Sequence, residues 1–251
     1  ALNMWFDADI DAKMSRTRSR PIPAGRVAPN DALAFGLIAS VFSVLLMALA
    51  ANYLAAGLLA FTIAFYAFFY TMVLKRSTDQ NIVIGGLSGA LPPAVAWAAA
   101  TGDLSLNAWL LVAIIFVWTP AHFWALALYQ SADYERAGEP RRPVPRGAHP
   151  APPPNLAYAP QPAAIRVAPA FTGLGGVVYA AAASVLGLAL VYFAWRVFKS
   201  RAGEAAGHDG ALYDVKTEAR PARDLFAFSI LYLFTLFAVL LAEHLIAGLL
   251  A

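Results

Sequence analysis

Asn3, Asp7 and Asp11 stand four residues apart in the opening stretch Ala-Leu-Asn-Met-Trp-Phe-Asp-Ala-Asp-Ile-Asp. On a helix, at about 100° per residue, they fall within roughly 80° of one another, and Asp9 points roughly the other way. A basic run follows, and then an uncharged stretch long enough to cross a bilayer. Three acceptor side chains stacked at a membrane edge are costly unless a cation or a phosphate-bound metal occupies them. The chemistry this pattern predicts is work on a phosphorylated compound, inside or at the surface of a membrane. A second cluster comes later: His122, Tyr129 and Asp133. On one helix these three lie within about 40° of each other. Eleven residues at about 1.5 Å each put His122 about 16 Å deeper than Asp133. One face then offers a carboxylate at the mouth and an imidazole near mid-membrane, where an ionisable side chain reads as functional. Pro120 is a candidate kink just above it.

The elements that must position these groups are apolar. Sixty per cent of the 251 residues are hydrophobic and 13% charged, against about a quarter charged in ordinary soluble domains. No Asp, Glu, Lys or Arg occurs from Ala32 to Leu74, Gln80 to Gly102, Leu104 to Ala132, Val167 to Trp195, or Leu225 to Ala242. A spanning helix needs about 20 mostly apolar residues. The first block, with 43 residues, must therefore fold as two, with a hairpin near Asn52 and Gly57. The pattern predicts six spans, near 32–51, 54–74, 82–100, 106–129, 173–195 and 225–246. The polar stripes at helical period that a soluble helical core would need are absent. The fold class expected is an all-α, polytopic transmembrane bundle.

Charge placement sets the topology. Lys13, Arg16, Arg18, Arg20 and Arg26 precede the first span, Lys75 and Arg76 follow the second, and the loop Thr101–Asn107 carries only Asp103. By the positive-inside rule the Asp motif, the Lys75 loop and the segment after Tyr129 face the cytoplasm. Zero cysteines exclude disulfides and thiolate metal sites. The chain opens without Met on residues that read like the tail of a helix already under way. The expectation is a single membrane-embedded domain over 1–251 that is truncated at its N-terminus.

Several ordered motifs resemble one family. Asn3-xxx-Asp7-x-Asp9-Ile10-Asp11-Ala-Lys13-Met14-x-Arg16-Thr17-x-x-Arg20-Pro21-Ile22-Pro23-x-Gly25 is similar to the first signature of the protohaem IX farnesyltransferases, or haem O synthases. These are a branch of the intramembrane aromatic prenyltransferase superfamily. Lys75-Arg76-Ser-Thr, Asn81 through Pro93, Pro120-x-His122-Phe-Trp, Asp133-Tyr134-x-x-Ala-Gly138-x-Pro140 and Arg223-Asp224-Leu-Phe-Ala-Phe-Ser229 continue the match. The resemblance covers most of 1–140 and 170–251. It implies transfer of a farnesyl group from farnesyl diphosphate to a vinyl group of haem b, with addition of water. It also implies Mg²⁺, nine spans around a central cavity, and the inner (cytoplasmic) membrane of a bacterium. Farnesyl diphosphate, haem b and the lipid bilayer are the expected partners, haem A synthase is a candidate partner, and no nucleic acid is expected.

On that reading Asn3, Asp7, Asp11 and Asp133 hold the metal–diphosphate, with Asp7, Asp11, Asp133 and His122 as the catalytic set. Arg16, Arg20, Lys75, Arg76 and Tyr129 are expected to contact substrate, the four cations reaching diphosphate or haem propionates; each cation also sets topology. Trp118, Trp124, Phe65 and Tyr70 are candidates to shelter an allylic cation by cation–π attraction. Gly85, Gly86 and Gly89 read first as close-packing positions. The wider superfamily has two carboxylates four apart in the second motif; here Tyr129 and Ala137 flank Asp133 at that spacing, which fits the haem branch. The alternatives are a prenyltransferase acting on a quinone precursor or chlorophyllide, and a cation-binding membrane transporter.

The stretch 141–168 does not fit. Residues 141–169 hold nine prolines, no acid, and Arg141, Arg142, Arg146 and Arg166. It cannot be a membrane helix as written, although the family has its seventh span about here. Without a crossing, the loop from Arg196 to Asp224, with its six cations, would be translocated against the positive-inside rule. A pair of compensating frameshifts is the explanation expected, and another reading frame should encode about 20 apolar residues.

Overall fold

The computed structural model describes residues 1–13, 17–74, 77, 81–129, 163–200 and 215–250. Every regular element among them is helical. Six helical stretches are long and apolar enough to cross a membrane: Pro29–Ala50, Tyr53–Leu74, Val83–Thr101, Leu106–Leu126, Val177–Lys199 and Arg220–Leu250. The protein is an all-α polytopic membrane protein. It divides into two compact units, Ala1–Val112 with Ser131–Arg141, and Ala113–Gln130 with Arg142–Ala251.

In the first unit two short helices, α1 (Leu2–Phe6) and α2 (Ala8–Lys13), precede α3 (Pro29–Ala50). Pro29 starts α3 where its missing N–H costs nothing, and Asp31 complements the positive end of the helix dipole. Ile38, Val41, Phe42 and Leu49 are all exposed, as side chains facing hydrocarbon must be. Ser40 Oγ donates to the Gly36 carbonyl at 2.7 Å, so its hydroxyl is satisfied without water.

The hairpin turns at Ala51 and Asn52, and Gly57, expected beside the turn, lies inside α4 (Tyr53–Ala64). Asn52 explains the choice. Its Oδ1 accepts from Ala55 N at 2.9 Å, capping α4, and its Nδ2 donates to Ala98 O at 2.7 Å. One side chain thereby ends one helix and ties it to another, α7 (Pro92–Thr101). The second span continues as α5 (Phe65–Leu74), wound with i→i+5 bonding. The third is interrupted: α6 (Asn81–Ala90) stops at Leu91, because Pro92 and Pro93 supply no N–H, and α7 begins there. Gly102, at φ +74°, closes α7 in the left-handed conformation.

Close packing by glycine holds at one predicted position and fails at another. A Cβ on Gly85 would run into the Tyr70 ring, whereas a Cβ on Gly89 would meet nothing within 4 Å. Gly89 borders a cavity instead. Gly85→Ala is therefore expected to destabilise the protein by about 1–3 kcal/mol through overpacking. Gly89→Ala should be neutral or slightly stabilising in a helix. Thermal unfolding of the two variants in one detergent checks this; equal midpoints would refute the Tyr70 contact.

The second unit holds most of α8 (Leu106–Tyr129), then α9 (Ala163–Val167), α10 (Val177–Lys199) and α11 (Val215–Leu250). α8 continues through Pro120 as one helix. α10 packs along α11. At one end of that pair the Glu243 carboxylate accepts from Gly176 N at 2.6 Å and Tyr179 N at 3.0 Å, capping α10 from its neighbour. At the other end Tyr192, Trp195 and Lys199 gather, with the Lys199 ammonium 4.3 Å from the Trp195 ring centre, an interfacial anchor.

Most of the anomalous stretch 141–168 lies outside the described residues, but its end is helical and packed. α9 packs on α10, and Arg166 within it is buried. Its carbonyl accepts from Tyr179 Oη at 2.8 Å, and its guanidinium lies 5.9 Å from the Tyr232 ring centre.

Candidate active site

The acidic motif is not one straight helix. Asp7 ends α1 at φ −92°, ψ 13°, and α2 begins at Ala8. Four-residue bonding nevertheless persists across the break: Asp7 N donates to Asn3 O at 2.9 Å and Asp11 N to Asp7 O at 2.8 Å. Asp7 is fully buried and Asp11 is 3% exposed, while Asp9 is exposed. The break changes the line of the helix but leaves the first and last carboxylates facing inward.

Each inward group is held. Asn3 Nδ2 donates to Asp7 Oδ2 at 2.8 Å and to Thr71 Oγ1 at 3.3 Å. Thr71, 1% exposed on α5, itself donates to Tyr66 O at 2.8 Å, a five-residue step that the wide winding of α5 allows. Asp11 faces Arg20, whose Nη1 lies 3.1 Å from Oδ1 and 2.8 Å from Oδ2. The turn after α2 brings Arg20 back: Thr17 Oγ1 donates to Asp11 O at 2.9 Å, and Arg20 N to Thr17 O at 2.9 Å. A buried carboxylate needs such a partner to offset its lost hydration. Two residues assigned separately from the sequence, Asp11 to metal and Arg20 to diphosphate or haem propionates, are thus paired with each other.

Asn3 also borders a cavity of about 640 Å³ in the same unit, walled by Phe35, Ile63, Tyr66, Ser40 and Ser88 among others. Its walls are mostly apolar. The acidic motif therefore joins a membrane-embedded hollow through one amide side chain.

In the second unit His122 is clamped. Its ring stacks on Trp118, with centres 4.2 Å apart and planes at 22°, and on Phe226 at 4.7 Å and 26°. His122 Nδ1 lies 2.7 Å from Ser229 Oγ, and Trp118 Nε1 donates to Ser229 O at 2.8 Å. His122 is 8% exposed and Ser229 fully buried. Phe65 and Tyr70 belong to the first unit and Trp118 and Trp124 to the second.

Of the other predicted positions, Arg16, Lys75, Arg76 and Asp133 lie outside the described residues, as does the side chain of Tyr129 at the end of α8. Among the described residues no three His, Asp or Glu side chains gather as a metal site. Sequence reasoning gave no role to Thr17, Thr71 or Ser229. Thr17 and Ser229 stand in motifs that resemble the family; nothing in the sequence marks Thr71.

The family model described as "UbiA prenyltransferase family" matches residues 1–208. The chain is 57% identical over 251 residues to a protein named protoheme IX farnesyltransferase from Caulobacter vibrioides, covering 97% of this chain and 75% of that one. Proteins of the same name from Maricaulis maris and Azorhizobium caulinodans are 58% and 55% identical. Those alignments cover 97% and 99% of this chain and 74% and 77% of the relatives. No solved structure matches. With a buried pair of motif carboxylates, a helical membrane fold and relatives at this identity, the chain belongs to the UbiA prenyltransferase family.

Proposed function

We propose that this protein transfers the farnesyl group of farnesyl diphosphate to a vinyl group of haem b, giving haem O. The observation that carries it is the junction at Asn3, whose amide bonds the buried Asp7 carboxylate while the residue itself borders a mostly apolar cavity. A molecule with an anionic head and a hydrocarbon tail needs both. The acceptor follows from the relatives, which are named protoheme IX farnesyltransferases.

In the reaction the allylic C–O bond breaks and diphosphate leaves with the electron pair. The vinyl π electrons form the new C–C bond, and water adds to the resulting cation with loss of a proton. Asn3, Asp7 and Asp11 offer only oxygen donors, the set a hard divalent cation takes, so these residues fit Mg²⁺ in kind. Asp133 is assigned to complete the set. Mg²⁺ held there would neutralise charge developing on the leaving oxygens. Arg20, with one-third of its side chain exposed, turns from Asp11 to the diphosphate and supplies charge-assisted hydrogen bonds. Arg16, Lys75 and Arg76 are assigned to the same anion or to the haem propionates. The mostly apolar cavity walls hold the prenyl chain away from water, which would otherwise capture the cation early. His122, flanked by two stacked rings, contacts the haem.

The protein is assigned to a bacterial inner membrane with these motifs on the cytoplasmic side, and haem A synthase is a fitting consumer of the product. The test is a product assay in lipid nanodiscs with farnesyl diphosphate and either haem b or 4-hydroxybenzoate. Haem O formed only with haem b and Mg²⁺ is expected. A farnesylated benzoate would overturn the acceptor, and diphosphate release unchanged by EDTA would overturn the metal.

A further inference from the structure

We propose that Ser229 is a positioning residue that holds the His122 ring as its Nδ1–H tautomer, so that the Nε2 lone pair meets the haem iron. The inference rests on the haem reading above and specifies the atom by which His122 acts.

The argument is one of proton counting. A serine hydroxyl carries one proton. Ser229 Oγ lies 2.6 Å from Phe226 O, a carbonyl three residues back that can only accept, so the hydroxyl proton goes there. Toward His122, 2.7 Å away, the same oxygen can then only accept. Nδ1 must carry the ring proton, and Nε2 is left as the lone-pair nitrogen. No described side chain bonds to Nε2, and the residue keeps a small accessible edge.

Rotation of the ring is blocked as well. Trp118 and Phe226 stack on the ring at 4.2 and 4.7 Å. Trp118 is itself pinned by its hydrogen bond to the Ser229 carbonyl. Ser229 thus serves the histidine twice, with its hydroxyl and through the tryptophan. A histidine whose far nitrogen donates to a fixed oxygen, leaving the near one unprotonated, is the arrangement that metal-ligating imidazoles require. In a span where most neighbours are hydrocarbon, nothing else described here would choose between the two tautomers.

The experiment uses the full chain in nanodiscs with ¹⁵N-histidine, His122→Asn serving to assign the resonance. Before haem is added, wild type is expected to show Nδ1 protonated and Nε2 bare. Ser229→Ala should shift toward the Nε2–H form, and Ser229→Thr, which keeps the hydroxyl, should not. On titration with haem b, Ser229→Ala should bind about 10–100-fold more weakly and lose the imidazole-ligated spectrum, while Ser229→Thr retains it. A protonated Nε2 in wild type overturns the inference, and so does a Ser229→Ala chain with unchanged tautomer and haem spectrum. If Ser229→Ala does not fold, the wild-type tautomer decides. Wild type with the expected tautomer that takes up no haem refutes the acceptor reading itself, a separate and distinguishable result.

Discussion

Asp7→Ala and Asp11→Ala are expected to reduce prenyl transfer to background, while Asp9→Ala costs less than tenfold. Each of the first two removes a carboxylate that is almost wholly buried. Losing one group that stabilises a developing anion costs roughly 10²–10³ in rate, and these carboxylates are assigned to the metal as well. Asp9 is exposed on the other side of α2. The two sensitive positions should differ from each other in one respect. Asp11→Ala also releases Arg20 from its ion pair, so binding of diphosphate without metal should tighten more there than in Asp7→Ala, where the described partner released is the neutral Asn3 amide. The measurements are diphosphate release against Mg²⁺ concentration and equilibrium binding of farnesyl diphosphate in EDTA. Equal losses at all three aspartates would show that the inward-facing assignment is wrong.

His122→Ala should weaken haem b binding by at least about tenfold, the scale on which even supporting groups act at metal sites. Binding of farnesyl diphosphate with Mg²⁺ should be nearly unchanged, because the described groups that His122 touches are Trp118, Phe123, Phe226 and Ser229, none of them in the acidic motif. The substitution leaves Ser229 Oγ without its imidazole partner and opens a gap between Trp118 and Phe226. Some loss of stability is therefore expected too, and it should be measured alongside. An unchanged haem spectrum and affinity would return His122 to a purely structural role.

The six spans were legible because charge is excluded from hydrocarbon, and that exclusion is written in composition alone. Their ends were less so: the hairpin is fixed by Asn52 bonding to Ala98, a contact 46 residues away. The inward set Asn3, Asp7 and Asp11 follows from helical spacing, yet the break at Asp7 does not. The Arg20–Asp11 pair depends on how the turn at Thr17 folds back. The link from His122 to Ser229 spans 107 residues and leaves no local pattern. Glu243 falls inside the span expected at 225–246, and its role as the cap of a neighbouring helix, 67 residues from Gly176, leaves no local pattern.

The winding of α5 has a consequence for how this gene can change. A helix with i→i+5 bonding carries a surplus residue in its turn. Between Phe65 and Leu74 that surplus sets which side chains look toward α1 and which toward α6. Thr71 reaches Asn3, and the Tyr70 ring fills the space that Gly85 leaves. Loss of a single codon here would let the segment rewind as an ordinary helix, turning everything beyond the deletion to another face. Exchange of one apolar letter for another would do nothing of the kind. Among descendants of this sequence the stretch, Tyr70 and Thr71 apart, should drift in spelling and hardly at all in length, so much of its information lies in the count of residues.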